Sequence, residues 1–346
     1  MRALVTGGCG FVGGHLVDAL VARGDDVRVL DVTERTPRRE VEYVRADLTD
    51  AGAVRAACEG ADAVFHVASV VGTRQSQRAA MWAVNVGGTD HVLDACRAAG
   101  VRRMVYVSSG SVVYEGRDIE GGDERLPYAS VSQAPYADAK IAAEKRTLAA
   151  DGVGGVRTIA LRPHVVFGPG DTRFLPALVR HARSGRLRVQ VGRGTWLSDY
   201  TYVDNLVDAL LLADAALAAG APVGGRAYFI TNGEPMPFWD FVRRVLARLG
   251  LPPIRWKAPH QLVYAAAAVR ETLDRLRDDE ASTEDGLTRF AIRYMCTHHY
   301  FSIEQARRAL GYAPAVTVAE GIERTCRHLE ATGAMHDSPT PHRPIR

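Results

Sequence analysis

The stretch Ala3-Leu4-Val5-Thr6-Gly7-Gly8-Cys9-Gly10-Phe11-Val12-Gly13 joins a short apolar run to glycines three apart, and a helical pattern from His15 to Arg23 follows it. Strand, glycine turn and helix, in that order, are what a dinucleotide site requires. Gly7 permits the tight turn, and Gly10 lets the backbone approach a pyrophosphate. Gly13 lets the helix pack on the strand with its N-terminus facing the anion. Phe11 and Val12 lie in the same segment. Val27 to Leu30 reads as a second strand ending in Asp31, whose carboxylate can accept from the adenosine ribose hydroxyls. That favours NAD over NADP. Arg35, Arg38 and Arg39 just downstream are either the groups that would meet a 2′-phosphate or a solvated loop.

Outward from this turn the chain alternates strand and helix to about residue 165, which predicts an α/β fold: a Rossmann-type doubly wound parallel sheet with right-handed crossovers. A third strand, Val41 to Val44, brings Asp47 and Leu48 near the adenine. The strand Ala63 to His66 runs into Val67, Ala68 and Ser69 at the switch point of the sheet, and His66 reads as a packed or capping residue rather than a base. The segment Trp82 to Thr89 opens a helix that continues to about Ala99. Within it Asn85 is either a buried hydrogen-bonding group beneath the site or a helix cap. Val105 to Val107 forms a fifth strand and delivers Ser108, Ser109 and Ser111 to the carboxyl edge, where a hydroxyl can bond a substrate oxygen.

The helix behind Pro135 sets Tyr136 and Lys140 four residues apart, on one face. A lysine charge there can favour the phenolate of a tyrosine whose ordinary pKa is about 10, making it a proton donor and acceptor near neutral pH. The apolar face of this helix (Ala139, Ala142, Ala143, Leu148) should pack on the sheet, and the strand Val156 to Leu161 follows, ending in Arg162 and Pro163.

Composition bounds the class. With 346 residues, 47% hydrophobic and 24% charged, the chain can bury one large core and a smaller lobe. A net charge of +3, without a basic run flanked by aromatics, argues against nucleic acid. Five scattered cysteines point to a reducing compartment and away from a disulfide framework or zinc site. No signal peptide and no membrane span are expected, so the cytoplasm is the expected location. The expected division is a dinucleotide-binding domain over 1–165, also receiving about 226–233. A substrate lobe would occupy 166–225 and 234–335, and a tail without fold content 336–346. Phe174, Leu175, Leu178, Trp196, Tyr200, Trp239, Trp256, Tyr264, Phe290 and Met295 supply the lobe, mostly as core, with a minority lining a groove for a bulky apolar substrate. Asp278 to Gly286 is a candidate lid or disordered loop. Asp204 reads as the N-cap of a helix from Leu206 to Ala216. His298 and His299 are not a metal pair, because neighbours on a strand point to opposite faces. No metal is expected.

Taken together, TGGCGFVG, Asp31, FHVAS, NVGGTDHVLDAC, YVSSGSVVYEG, YADAK and LRPHVVFGPGD resemble the extended short-chain dehydrogenases/reductases, over nearly the whole chain. DYTYVDNLVDALLLA, GGRAYFITNGEPMPFWDFVRRVL and THHYFSIEQARRALGY are similar to the branch of 3β-hydroxysteroid dehydrogenases and decarboxylating sterol-4α-carboxylate 3-dehydrogenases. That branch includes bacterial 2-alkyl-3-oxoalkanoate reductases. The resemblance implies that Tyr136 exchanges a proton with the substrate oxygen, and that Lys140 lowers its pKa and bonds the nicotinamide ribose. Ser109 would donate to the substrate oxygen, with Ser108 and Ser111 as alternatives. Val107, Pro163 and His164 would border the nicotinamide, the last two at its carboxamide. It further implies a homodimer acting on a small hydrophobic substrate.

Departures narrow the reaction. Sugar-nucleotide epimerases usually carry an arginine ahead of the DYxxV aspartate, whereas Gly194-Thr195-Trp196-Leu197-Ser198 precedes Asp199 here. The dehydratase Asp-Glu pair is replaced by Ser109-Gly110-Ser111. Leu262 to Val269, where eukaryotic sterol enzymes often have a membrane-associated segment, is too short and runs into too many charges to span a bilayer. The expected function is NAD(P)-dependent interconversion of a secondary alcohol and a ketone, with 4-epimerisation of a sugar nucleotide or non-catalytic NAD sensing as alternatives.

Overall fold

β1 (Arg2–Thr6) is buried from Ala3 onward, as a strand covered on both faces of a parallel sheet must be. The computed structural model describes residues 1–33, 40–72, 75–131, 134–276 and 288–333. Arg35, Arg38, Arg39, the segment 278–286 and the tail 336–346 lie outside the described residues.

After β1 come α1 (Phe11–Ala22), β2 (Asp26–Asp31), β3 (Glu42–Arg45), α2 (Ala51–Cys58) and β4 (Ala63–His66). α3 (Arg78–Trp82) passes through a π turn (Ala83–Gly87) into α4 (Gly88–Ala99). This helix therefore begins before Trp82, and Asn85 sits in its wide turn rather than at a cap. β5 (Arg103–Val107), β6 (Ile119–Gly122), α5 (Pro135–Ala149), β7 (Arg157–Pro163) and β8 (Val166–Phe167) follow. α5 starts on a proline at its first position, where the missing N–H costs nothing. Next are α6 (Phe174–Arg183), β9 (Val189–Val191), β10 (Leu197–Ser198), β11 (Thr201–Tyr202), α7 (Val203–Ala218), β12 (Ala227–Ile230) and β13 (Met236–Pro237). The described chain closes with α8 (Phe238–Arg248), β14 (Trp256–Ala258), α9 (His260–Leu276), α10 (Arg289–Met295), β15 (His299–Phe301), α11 (Glu304–Leu310) and α12 (Val318–Ala331).

Seven strands form one sheet in the order β12-β7-β5-β4-β1-β2-β3, and every neighbouring pair is parallel. The order reverses between β1 and β4, so their carboxyl ends open a crevice where such sheets bind ligands. Alternate residues along the strands face opposite sides. Ala3, Val5, Phe65 and Val105 pack with α1, α7 and α11; Leu4, Val64, Met104 and Tyr106 pack with α2, α4 and α5.

A second core joins α6, α8, α12 and Ile292 of α10, with Leu175, Leu178, Tyr200 and Trp239 inside it. Trp256 is exposed instead. α7 and α11 bury Leu206, Leu210, Ala306 and Leu310 in the first core. In packing terms they go with the large sheet, although they fall in segments read from sequence as the lobe. Asp204 is not the N-cap of α7: Tyr202 holds that place, and Asp204 lies in the first turn, paired with His15 at 3.2 Å and Arg324 at 3.6 Å. Among the described residues no helix is long and apolar enough to cross a membrane.

The glycine turn is packed to its limit. A Cβ on Gly13 would stand 2.0 Å from the Gly7 carbonyl oxygen, whereas one on Gly14 would meet nothing closer than the Gly8 carbonyl oxygen at 3.8 Å. Gly13→Ala should therefore destabilise the fold by about 3 kcal/mol or more. Gly14→Ala should stabilise it by about 0.5–1 kcal/mol through helix propensity. Urea unfolding of the two variants beside the wild type checks the contrast; equal effects would refute the close packing.

Candidate active site

The site is assembled at the carboxyl ends of β1, β2, β4, β5 and β7. Gly7 adopts φ +72°, and its α-carbon lies so close to the Ala68 backbone that a Cβ would come within 2.7 Å. Gly10 begins α1 without any side-chain cap, and no acidic residue occupies the first turn, so this helix end keeps its partial positive charge for an anion. Asp31 accepts from the Cys9 amide at 3.0 Å and from Thr33 at 3.0 Å. The carboxylate thus steadies the glycine turn from the end of the neighbouring strand. Asp47 accepts from the amide and hydroxyl of Thr49, both at 2.9 Å, while Leu48 is buried against Gly88.

His66 is buried and neutral, its pKa pushed down to about 3 by burial and by the Lys140 charge. The Thr89 hydroxyl donates to the Asn85 carbonyl at 2.7 Å, so it accepts from His66 Nε2 at 3.0 Å, and Nδ1 must accept from Thr6 at 2.7 Å. This histidine is a packed connector, as its place in the sequence suggested. Asn85 is buried and clamps Val70 from both sides: its Oδ1 accepts from the amide at 2.7 Å and its amide donates to the carbonyl at 2.8 Å. It thereby holds the segment that follows Val67, Ala68 and Ser69.

The three serines separate by their partners. Ser108 is buried and donates to Glu144. Ser111 donates to Ser109 through its amide at 3.2 Å and its hydroxyl at 2.9 Å. Ser109 is left beside the Tyr136 phenol, near enough for its hydroxyl to favour the phenolate. The Ser69 hydroxyl is also near the phenol, though without a hydrogen bond of regular geometry. Burial pushes Tyr136 up to about 12, and Ser109, the Arg173 charge and Ser69 pull it partly back.

Lys140 is 2% exposed and donates to the Val107 carbonyl at 2.7 Å. Its ammonium lies 4.7 Å from the centre of the Tyr106 ring and 5.9 Å from that of Tyr136. Burial pushes it down to about 7, against the pull of Glu144. Burial thus moves the phenol up and the ammonium down, each towards its neutral form.

Pro163 ends β7, paired with Ile230 of β12. His164 points away into a chain of rings. His299 donates from Nε2 to the Tyr294 carbonyl at 2.7 Å, so its Nδ1 accepts, and His164 Nε2, 2.8 Å away, is the donor. Tyr294 Oη lies 2.9 Å from the same His164 nitrogen. Burial keeps both imidazoles neutral, His299 at about 4 and His164 well below its ordinary value. A Cβ on Gly110 would come within 2.8 Å of His164 Nδ1, so this ring supports the backbone beside Ser109.

Sequence reasoning passed over three groups. Glu144, one turn beyond Lys140, is wholly buried and receives Arg162 at 2.6 Å, Tyr128 at 2.8 Å and Ser108. Its regular spacing from Tyr136 and Lys140 was a readable signal. Tyr294 joins the site across 130 residues, which no local pattern announces. Arg173 lies in a loop and matches no motif.

A parallel dinucleotide-type sheet with Ser109, Tyr136 and Lys140 at its crevice defines an oxidoreductase of the extended short-chain dehydrogenase type. Residues 4–259 match the 3-beta hydroxysteroid dehydrogenase/isomerase family, and the chain belongs to it. It is 43% identical over 332 residues to a 2-alkyl-3-oxoalkanoate reductase of Stenotrophomonas maltophilia, covering 94% of this chain and 98% of that one. A decarboxylating sterol-4-alpha-carboxylate 3-dehydrogenase of Homo sapiens is 36% identical, with 95% of this chain and 89% of the other covered. Among solved structures, MoeE5 in complex with UDP-glucuronic acid and NAD is similar, with a TM-score of 0.74, 26% identity, and 96% and 100% of the two chains covered.

The depressed lysine carries a sign that can be tested. Between about pH 7 and its ordinary value near 10.4 the folded protein binds fewer protons at Lys140 than the unfolded chain, so wild-type stability gains with pH across that window. Lys140→Met should exceed the wild type by about 3–5 kcal/mol at and below neutral pH, and the difference should vanish above about pH 10.4. Urea midpoints over this range measure it; a pH-independent difference would mean that the amine is not desolvated.

Proposed function

We propose that this protein is an NAD-dependent dehydrogenase that interconverts a secondary alcohol and a ketone, in the 3β-hydroxy and 3-oxo sense, on a bulky hydrophobic molecule such as a sterol or a 2-alkyl-3-oxo acid. The observation that carries this reading is the neighbouring pair of Ser109 and Tyr136 hydroxyls, with Lys140 buried behind them. The names of the relatives, a reductase and a dehydrogenase, support it.

The residues suit a dinucleotide. The uncapped start of α1 and the closely packed Gly7, Gly10, Phe11, Val12 and Gly13 would take its pyrophosphate, and Asp31 its adenosine ribose. Asp47 and Leu48 would border the adenine. Val67, Ala68, Ser69, Asn85, Val107 and Pro163 would border the nicotinamide half, with Lys140 donating to its ribose, whereas the His164 ring is engaged by Tyr294 and His299 and would lie behind it. NAD supplies the hydride acceptor for alcohol oxidation, and its reduced form the donor for ketone reduction.

The proton is the task of the protein. Ser109 holds the substrate oxygen, and Tyr136 takes its proton in oxidation or returns one in reduction. With the phenol at about 12, Tyr136 rests as the acid, ready for reduction. Lys140, were it to donate to the ribose hydroxyls of a bound dinucleotide, would be held more in its charged form and would favour the phenolate. The second core and helices α6, α8 and α10 form the substrate lobe in this reading, with α7 and α11 left to the sheet. Epimerisation is disfavoured because Trp196, packed edge-on to His260 with ring centres 5.8 Å apart, stands in the stretch where epimerases carry their arginine. We assign a homodimer from the resemblance and the cytoplasm from the scattered cysteines.

Tyr136→Phe should lower turnover by about 100–10,000-fold while NAD affinity is retained. Nicotinamide absorbance is followed with 3β-hydroxysteroids, 2-alkyl-3-oxo acids and UDP-sugars. Turnover of UDP-sugars only would overturn the reading, as would near-normal activity of the variant. Because the phenol titrates upward, oxidation should accelerate as pH rises through the alkaline range and reduction should slow, seen in rate profiles run in both directions.

A further inference from the structure

Two consecutive residues of β5 meet the Lys140 ammonium. The Val107 carbonyl accepts from it at 2.7 Å, and the ammonium stands over the ring of Tyr106, 4.7 Å from its centre. Among the described residues the bond to Val107 is its only hydrogen bond, although an ammonium carries three donors. The residue is 2% exposed, so bulk water does not take their place. The face of an aromatic ring is negative, and a desolvated cation within about 6 Å of its centre is attracted to it.

The ring is held for this contact. His66, the register partner of Tyr106 on β4, packs against it with ring centres 5.5 Å apart, and is itself fixed by Thr6 at 2.7 Å and Thr89 at 3.0 Å. The Tyr106 hydroxyl is buried and has no hydrogen-bond partner among the described residues. A buried hydroxyl without a partner is costly, so hydrogen bonding does not explain a tyrosine here; what the side chain offers is its face. The other titratable groups around the ammonium are Glu144 and Tyr136 of α5 and the neutral His66 of β4. Glu144 is already engaged by Arg162, Tyr128 and Ser108, and the Tyr136 ring centre is farther off, at 5.9 Å. Tyr106 is the nearer of the two rings.

We infer that Tyr106 is a positioning residue for the reaction: the face of its ring holds the Lys140 ammonium beside the Val107 carbonyl and keeps it charged. Its catalytic consequence rests on the dehydrogenase reading above; the contact itself does not. Tyr106 acts only through Lys140, and proton transfer stays with Tyr136.

The chain has three lysines, Lys140, Lys145 and Lys257, so the full-length protein labelled with carbon-13 lysine gives a spectrum simple enough to follow Lys140 through a pH titration. In the wild type it should lose its proton at about 7. Tyr106→Leu keeps an apolar side chain but removes the negative face, and should lower that midpoint by about one pH unit. Tyr106→Phe keeps the face and should leave the midpoint in place. Where Tyr106→Leu fails to fold, fluorinated phenylalanines at position 106 keep the shape while draining the face, and the midpoint should fall with each added fluorine. In rate profiles the rise of kcat for alcohol oxidation should move to higher pH in Tyr106→Leu, because a lysine that gives up its charge more readily favours the phenolate less; a merely structural ring would lower kcat alike at every pH. A Lys140 titration unmoved by Tyr106→Leu and by the fluorinated series overturns the inference, whatever the substrate. A shifted titration with kcat lowered evenly overturns the positioning role. If the titration shifts but the wild type turns over no alcohol or ketone, the dehydrogenase reading fails instead and the hold of the ring on the ammonium stands.

Discussion

The buried ion pair between Glu144 and Arg162 is the constraint on which the arrangement of the site depends. Glu144 lies two turns beyond Tyr136 on α5, and Arg162 lies near the end of β7. Their 2.6 Å contact ties the helix to the sheet where both are closed to water. Breaking such a pair by removing one partner typically costs about 3–5 kcal/mol, because the other charge is left buried and unpaired. Ser108 and Tyr128 also donate to Glu144, so the same carboxylate holds the residue before Ser109. One charge thus sets the distance between the helix that brings the tyrosine and the strand end that brings the serine.

Around that pair the site uses desolvation as its main electrostatic lever. The phenol, the ammonium and three imidazoles (His66, His164, His299) are all displaced towards their neutral forms by burial. Neutral histidines can carry fixed hydrogen-bond directions without adding charge near the reacting atoms. The partners of His66, Thr6 and Thr89, and those of His299, the Tyr294 carbonyl and His164, fix which nitrogen of each ring carries the proton. The charges that remain near the chemistry are few, which gives each of them weight.

The parts readable in advance were those with short-range signatures. The strand Ala63 to His66 was read with its observed bounds, and Asp31 ends β2 as read. The helical pattern in the sequence starts at His15, yet the helix begins at Phe11, since close packing on the turn outweighs the low helix propensity of Gly13 and Gly14. Asp204 has the residue type of a cap, but the extended conformation before α7 falls on Tyr202. α7 was assigned to the lobe by chain position, whereas its apolar face completes the first core. The meeting of His164 with Tyr294 and His299 depends on distant segments folding together, and nothing within either stretch encodes it.

The π turn at Ala83–Gly87 holds one residue more than an α-helix needs. Upstream of it, Arg78 of α3 pairs with Asp138 of α5; downstream, Gly88 of α4 receives Leu48. Deleting a single residue from the turn would restore a regular helix but rotate one half against the other by about 100°. Either the Arg78 pair or the Leu48 seat would then be lost, together with the grip of Asn85 on Val70. The wide turn works as a phase shifter: two contacts on opposite sides of it are keyed to different phases of the same helix, so the extra residue cannot be removed without rebuilding one of them.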